Sequence, residues 1–179
     1  MSERPVRLGR TIIYQSSWVS LYTDRVEFPG GRIVEKHHFL EFGWDGVAAL
    51  VTNERDDVLM VRVYRYVTDS VGWEIPAGGQ QPGEDIIQTA QREALEESGW
   101  ETADHRLLYT YTPVNGISSH RFHIVRCRAV RDTGSFDRSE VEAVRWFGRD
   151  EARLMVRNGE IRDGFTLTGL LLFLFGEQL

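Results

Sequence analysis

An α/β layered fold of the α+β class, with a small N-terminal antiparallel sheet, is predicted for this 179-residue chain by three observations. Runs rich in β-branched and aromatic residues alternate with helical segments from Val47 onward. A turn and a terminal glycine frame one of those helices, between Pro82 and Gly99. The first forty residues carry strand-like runs.

In order, the strand-like runs begin with Thr11–Tyr14, Trp18–Phe28 and Arg32–Phe42, broken by Pro29-Gly30-Gly31 at a turn. They predict an N-terminal β extension over 1–43, ahead of a main domain over 44–179. Further strands are expected at Val47–Thr52, Val58–Tyr66, Arg106–Thr112, Arg121–Val130 and Val141–Phe147. The first helix follows Pro82-Gly83. Glu84 and Asp85 are expected in its first turn, where acids favour the positive end of the helix dipole, and Ile86, Ile87, Ala90 and Ala94 recur at helical spacing up to Gly99. Asp150 to Asn158 forms the second helix, with Gly159 placed to terminate it, and Thr166 to Gln178 the third.

Composition excludes several classes. Basic residues number 21 against 27 acidic, for a net charge of −6, and no Lys/Arg block appears, so nucleic acid is not an expected partner. The most apolar stretch, Thr166 to Phe175, falls well short of the roughly 20 apolar residues a spanning helix needs, and reads as a packing helix. The first residues are polar and Arg-rich, without the apolar run of a signal peptide, so the protein is expected to be soluble and cytoplasmic, with no membrane partner. The lone cysteine, Cys127, lies in an alternating apolar stretch and is expected to be a buried, inert thiol.

The chemistry concentrates between Gly78 and Trp100, in GGQQPGEDIIQTAQREALEESGW. Glu93, Glu96 and Glu97 fall within about one helical turn. Glu93 and Glu97 are four apart, on one helix face, where like charges repel by a few tenths of a kcal/mol. Such crowding calls for a cation. Arg92 and Glu96 are also four apart but opposite in sign, so the guanidinium is placed to hold one carboxylate while the other two converge on a hard metal. Two carboxylates with room for water and phosphate oxygens describe a Mg²⁺ site, with Mn²⁺ as the alternative ion.

Gly78, five residues, Glu84, seven residues, then Arg92-Glu93-Ala94-Leu95-Glu96-Glu97-Ser98-Gly99-Trp100 match the Nudix box at every defined position, and the chain resembles a Nudix hydrolase. Val63-Tyr64-Arg65-Tyr66, Trp73-Glu74-Ile75-Pro76-Ala77-Gly78 and Ile161-Arg162-Asp163-Gly164-Phe165-Thr166 extend the likeness to the ADP-ribose pyrophosphatase and nucleoside diphosphate-sugar hydrolase branch. The resemblance implies an α/β/α sandwich with a mixed sheet. It implies metal ligands Glu93, Glu97 and the Ala77 carbonyl, Arg92 orienting Glu96, and Arg65 on a substrate phosphate or ribose. The alternative for Arg65 is a surface salt bridge on a strand. The activity implied is Mg²⁺-dependent hydrolysis of the diphosphate linkage of a nucleotide sugar, such as ADP-ribose, into two phosphate monoesters.

A general base in this branch is often a glutamate on a mobile loop before a late strand, which points to Glu140, with Glu142 and the box residues Glu96 and Glu97 as competitors. Glu84 reads as structural. Trp18 and Trp44 are candidates to stack on a base or sugar, against core packing as the alternative. The branch also commonly forms homodimers whose N-terminal sheets help build the neighbouring pocket. Pro113 is followed by Val114-Asn115-Gly116-Ile117-Ser118-Ser119-His120, where the ADP-ribose branch usually shows Pro-Gly and then an acid, and this departure weakens ADP-ribose itself as substrate. His120 is either a replacement contact or an ordinary surface residue, while His37 and His38 point to opposite faces of a strand and cannot form a local metal pair. A non-catalytic ligand sensor on the same fold is the reading from a different class. The intact box and the lack of a DNA-binding segment speak against it.

Overall fold

Strand β2 (Val19–Glu27) turns Ser20, Tyr22 and Asp24 inward at every second position, the period a strand imposes. It forms the centre of an antiparallel sheet in the order β1-β2-β3, between β1 (Val6–Gln15) and β3 (Ile33–Phe42), in the computed structural model, which describes residues 3–176. The turn joining β2 and β3 holds Gly30 and Gly31 at φ of 86° and 83°, a region open to glycine. The chain up to Asp45, together with Thr112–Arg121, makes one compact unit. Within it the 112–121 segment is tied to β3 by a hydrogen bond of 2.7 Å from Leu40 N–H to the Ile117 carbonyl.

The second unit comprises Gly46–Tyr111 and the chain from Phe122. Its sheet runs β10-β5-β4-β9-β8, formed by β4 (Gly46–Thr52), β5 (Val58–Arg65), β8 (Trp100–Tyr111), β9 (Phe122–Asp132) and β10 (Val141–Phe147). The sheet is mixed, because β4 and β9 run parallel while the other pairs are antiparallel. β4 and β5 meet only at Thr52 and Val58. Beyond that point β6 (Ser70–Glu74) pairs with β5, and β7 (Ala77–Gly79) pairs with β4.

Every residue of β4 is buried, as expected of a central strand covered on both faces. Val47, Ala49 and Val51 pack with Ala90 and Ala94 of α1 (Ile86–Ser98), while Ala48 and Leu50 share a second core with α2 (Arg149–Arg157) and α3 (Gly164–Phe175). Helices therefore cover both faces, as the expected α/β/α sandwich requires. Gly169 allows α3 to come close, since a Cβ there would lie 2.7 Å from Ile75 Cδ1. Among the described residues no helix is long and apolar enough to cross a membrane.

Several sequence expectations need correction. β8 begins at Trp100, six residues before the expected Arg106, because its irregular first half includes Asp104 at φ 56° and register shifts that break the alternation. β6 and β7 were not expected, since runs of five and three residues containing Gly72, Gly78 and Gly79 lack a strand signature. Glu84 and Asp85 precede α1 and do not occupy its first turn; Asp85 is the N-cap. α2 is capped at Asn158, with Gly159 just beyond at φ 70°. α3 begins at Gly164, two residues early, because Asp163 caps it through Thr166 N–H; its expected end at Gln178 lies outside the described residues.

Candidate active site

Helix α1 carries the site, and both of its ends are fastened. At the start, Asp85 accepts hydrogen bonds from Ile87 N–H and Gln88 N–H at 2.8 and 2.9 Å, and Gln88 Oε1 accepts one from Asp85 N–H at 2.9 Å. Such a reciprocal cap satisfies donors that a helix terminus otherwise leaves open. At the end, Gly99 adopts φ 75° and its N–H reaches the Leu95 carbonyl at 2.8 Å. A Cβ at Gly99 would come 2.6 Å from the Ser135 carbonyl oxygen, so the glycine also admits the segment that leads to Glu140. That segment is anchored. Thr133 Oγ1 donates to the Gly99 carbonyl at 2.8 Å, and Asp137 N–H donates to the Glu96 carbonyl at 2.8 Å.

Arg92 is the hub of the box. Its Nε donates to Glu84 Oε1 at 2.7 Å and its Nη2 to Glu84 Oε2 at 3.0 Å, a bidentate pair. Nη2 also reaches the Gly79 carbonyl at 3.0 Å, while Nη1 serves Glu93 at 2.7 Å and Glu96 at 3.0 Å. The expected Arg92–Glu96 contact exists, but Glu84 is the stronger partner. Arg92 beside it holds the Glu84 carboxyl down to about 2. Opposite the guanidinium, Gly78 leaves space for Glu93, because a Cβ there would overlap the Glu93 carboxylate.

Glu93 and Glu97 are both buried, each 8% exposed. Burial raises the Glu93 carboxyl despite Arg92, and burial pushes Glu97 up to about 8 despite the Ala77 N–H that donates to its Oε2 at 2.9 Å. The Glu93 charge adds to the cost of ionising Glu97. Both line an open cavity of about 440 Å³ with Glu96, Asp137 and Glu140. This donor set fits a divalent ion. Mg²⁺ commonly takes one or two carboxylates, several waters and substrate phosphate oxygens, without an all-protein cage. Among the described residues, no three Asp, Glu, His or Cys side chains are grouped to hold a metal ion by themselves.

The sequence candidates thus divide into two groups. Glu93, Glu96, Glu97 and Glu140 share one cavity, with Arg92 bonded to the first two. Arg65 ends β5 and pairs with Glu74 at 2.7 Å, its side chain half exposed and its charge felt at Glu97. Ala77 is recorded at the site through its N–H. Trp18 and Trp44 belong to the other unit, where they meet edge to face at 4.8 Å; Trp18 is 70% exposed. Glu142 faces Arg62 at 3.6 Å, and the His120 ring stacks on Phe42 at 4.4 Å. Cys127 is buried, and its thiol is pushed up to about 12 by burial.

Asp137 and Glu74 were not singled out from the sequence. Asp137 lies three residues before Glu140 and organises its turn, accepting from Ser139 N–H at 2.8 Å and Ser139 Oγ at 2.6 Å. The pattern Asp-x-Ser is a turn signal that could have marked it. Glu74 pairs with Arg65 through its side chain although the β5–β6 register sets Glu74 opposite Val61 and Arg65 opposite Ser70, and β6 itself was not expected.

The NUDIX domain family matches residues 44–165, and the chain belongs to that family. It is a Nudix hydrolase, in the branch of the ADP-ribose pyrophosphatases. Among its relatives, a CMP-5'-(N-acetyl-N-hydroxy-3-aminopropyl)phosphonate hydrolase of Streptomyces rubellomurinus is 35% identical, over 91% of this chain and 79% of that protein. An ADP-ribose pyrophosphatase of Mycobacterium tuberculosis is 30% identical, over 85% and 74%. A solved structure described as an ADP compounds hydrolase shares the fold, with a TM-score of 0.79 at 19% identity over 98% of this chain and 94% of that one.

Proposed function

We propose that this Nudix hydrolase is a divalent-metal-dependent, homodimeric enzyme that hydrolyses the phosphoric anhydride of a nucleoside diphosphate derivative, with a nucleotide sugar of the ADP-ribose kind as substrate. The observation that carries this reading is the gathering of Glu93, Glu97 and Glu140 around one cavity, beside an arginine-fixed helix. Glu93, Glu97 and the Ala77 carbonyl would hold Mg²⁺, or Mn²⁺ in its place. When bound, the ion neutralises charge on the non-bridging oxygens and lowers the pKa of water.

The chain's own residues do the rest. Arg92 fixes the rotamers of Glu93 and Glu96, so that the acidic face is organised before substrate arrives. Glu140, exposed on its anchored turn, accepts a proton from the attacking water as the new P–O bond forms. The bridging P–O bond breaks, and two phosphate monoesters leave. Arg65 lies half exposed and offers donors to a substrate phosphate. Trp18 and Trp44 are the aromatic candidates for the base or sugar, and the N-terminal sheet the candidate dimer surface, in a soluble cytoplasmic protein that binds neither nucleic acid nor membrane.

Two relatives differ in what their names say they hydrolyse, so the substrate panel should contain ADP-ribose, GDP-mannose, UDP-glucose and a CMP-phosphonate conjugate. Each is assayed with Mg²⁺ or EDTA by following the nucleoside monophosphate released. Release that EDTA abolishes is expected from one or two members. Silence across the panel together with measurable binding would replace hydrolysis with the sensor reading.

A further inference from the structure

We propose that a second, catalytically separate site on the α2/α3 face binds a phosphate group between Arg106 and Arg126. Arg106 of β8 and Arg126 of β9 are direct cross-strand partners. Partners in such a pair project to the same face, and like charges placed there are destabilising. That face is the one covered by α3, because Ile124, two residues from Arg126, and Leu108, two residues from Arg106, both pack in the α2/α3 core.

The two arginines line a cavity of about 190 Å³ with Leu108, Arg149, Leu172 and Phe173. Arginines from three elements line it, in a chain whose net charge is −6. Asp56 is the shared counter-ion, and Arg149 takes it closely while also donating to the Leu174 carbonyl at 3.4 Å. Arg126 reaches Asp56 only at 3.7 Å. No ion pair to Arg106 occurs among the described residues. Two cross-strand arginines, one with a distant shared carboxylate and one with no ion pair among the described residues, offer forked N–H donors to a tetrahedral anion.

None of these residues belongs to the cavity of Glu93, Glu97 and Glu140. The proposal therefore stands or falls independently of the hydrolytic reading. A phosphate at this site has two sources, free inorganic phosphate or the phosphate monoester of a nucleotide.

The test is isothermal titration of the full chain with inorganic phosphate, and separately with AMP, at fixed ionic strength with EDTA present. One saturable site for inorganic phosphate is expected in the wild type and in Glu93→Gln, and for AMP, a product of the proposed hydrolysis, the site is the part of the binding that Arg106→Gln removes. Arg106→Gln and Arg126→Gln should each weaken it at least tenfold while keeping wild-type hydrolase turnover. In phosphate-free buffer both arginine variants should melt at or above the wild-type temperature, since each removes the cross-strand repulsion. Tighter binding of AMP than of phosphate assigns the site to a nucleotide, and equal binding assigns it to free phosphate. Absence of saturable binding, binding unchanged in both arginine variants, or binding lost in Glu93→Gln would each overturn the proposal.

Discussion

Gly78 and Glu93 show how one missing methyl group shapes an acidic site. The strand residue must be glycine because the carboxylate occupies the space a Cβ would take. Gly78→Ala is expected to push Glu93 out of position, lowering turnover by at least tenfold while costing about 1–3 kcal/mol in stability, the usual range for overpacking. Steady-state rates beside urea melts would check this; normal turnover with an intact fold would refute it. Glu97→Gln has the opposite stability sign. The neutral amide keeps the shape and can accept from Ala77 N–H, so metal-free protein should be at least as stable, whereas turnover should fall by about two orders of magnitude or more. Wild-type rates in Glu97→Gln would remove it from the proposed metal site. Cys127, fully packed in the α1 core, should resist a thiol reagent in native protein and react at once in denaturant.

At the level of elements, the α1 unit was readable in sequence and its wiring was not. Helical spacing of Ala90 and Ala94, the carboxylates on one face and Gly99 as terminator depend on local geometry, which the chain writes directly. The main partner of Arg92 depends on how the preceding loop folds back. The four-residue rule pointed to Glu96, but Glu84, eight residues away, takes both guanidinium edges. The short strands β6 and β7 escaped for a related reason, since they exist only because β4 and β5 separate after one paired position. The same logic makes Gly99 more than a helix stop. Gly99→Ala should displace Ser135 and with it the turn bearing Glu140, so turnover should drop by a larger factor than the loss of stability explains. Asp85→Ala, which removes only the cap, should cost about 1 kcal/mol and leave turnover close to normal. If both variants lost activity in proportion to stability, the anchoring of the Glu140 turn would have no catalytic consequence.

Across the whole molecule, each compact unit contains a carboxylate held ionised by an arginine, and this sets how the protein responds to acid. In the N-terminal unit, Arg10 grips Asp24 at 2.7 and 2.8 Å and lowers its pKa. In the second unit, Arg92 holds Glu84 down to about 2 from the ordinary 4.5. A carboxyl whose folded pKa is depressed stabilises the native state above its unfolded pKa, and that contribution disappears as pH falls through the folded value. For Glu84 the window runs from about pH 4.5 down to about 2. Below it the Glu84 carboxylate is protonated, and Arg92 loses the charge of its main partner. Urea denaturation at successive pH values should therefore show stability falling from pH 5 towards pH 2. Glu84→Gln should be less stable than wild type near pH 7, with the two converging towards pH 2. Its deficit should grow at neutral pH because Arg92 then lacks the carboxylate charge that its Nε and Nη2 face in wild type. A constant deficit across that range would mean that the Arg92–Glu84 pair contributes packing rather than charge, and that the rigidity of α1 has another origin.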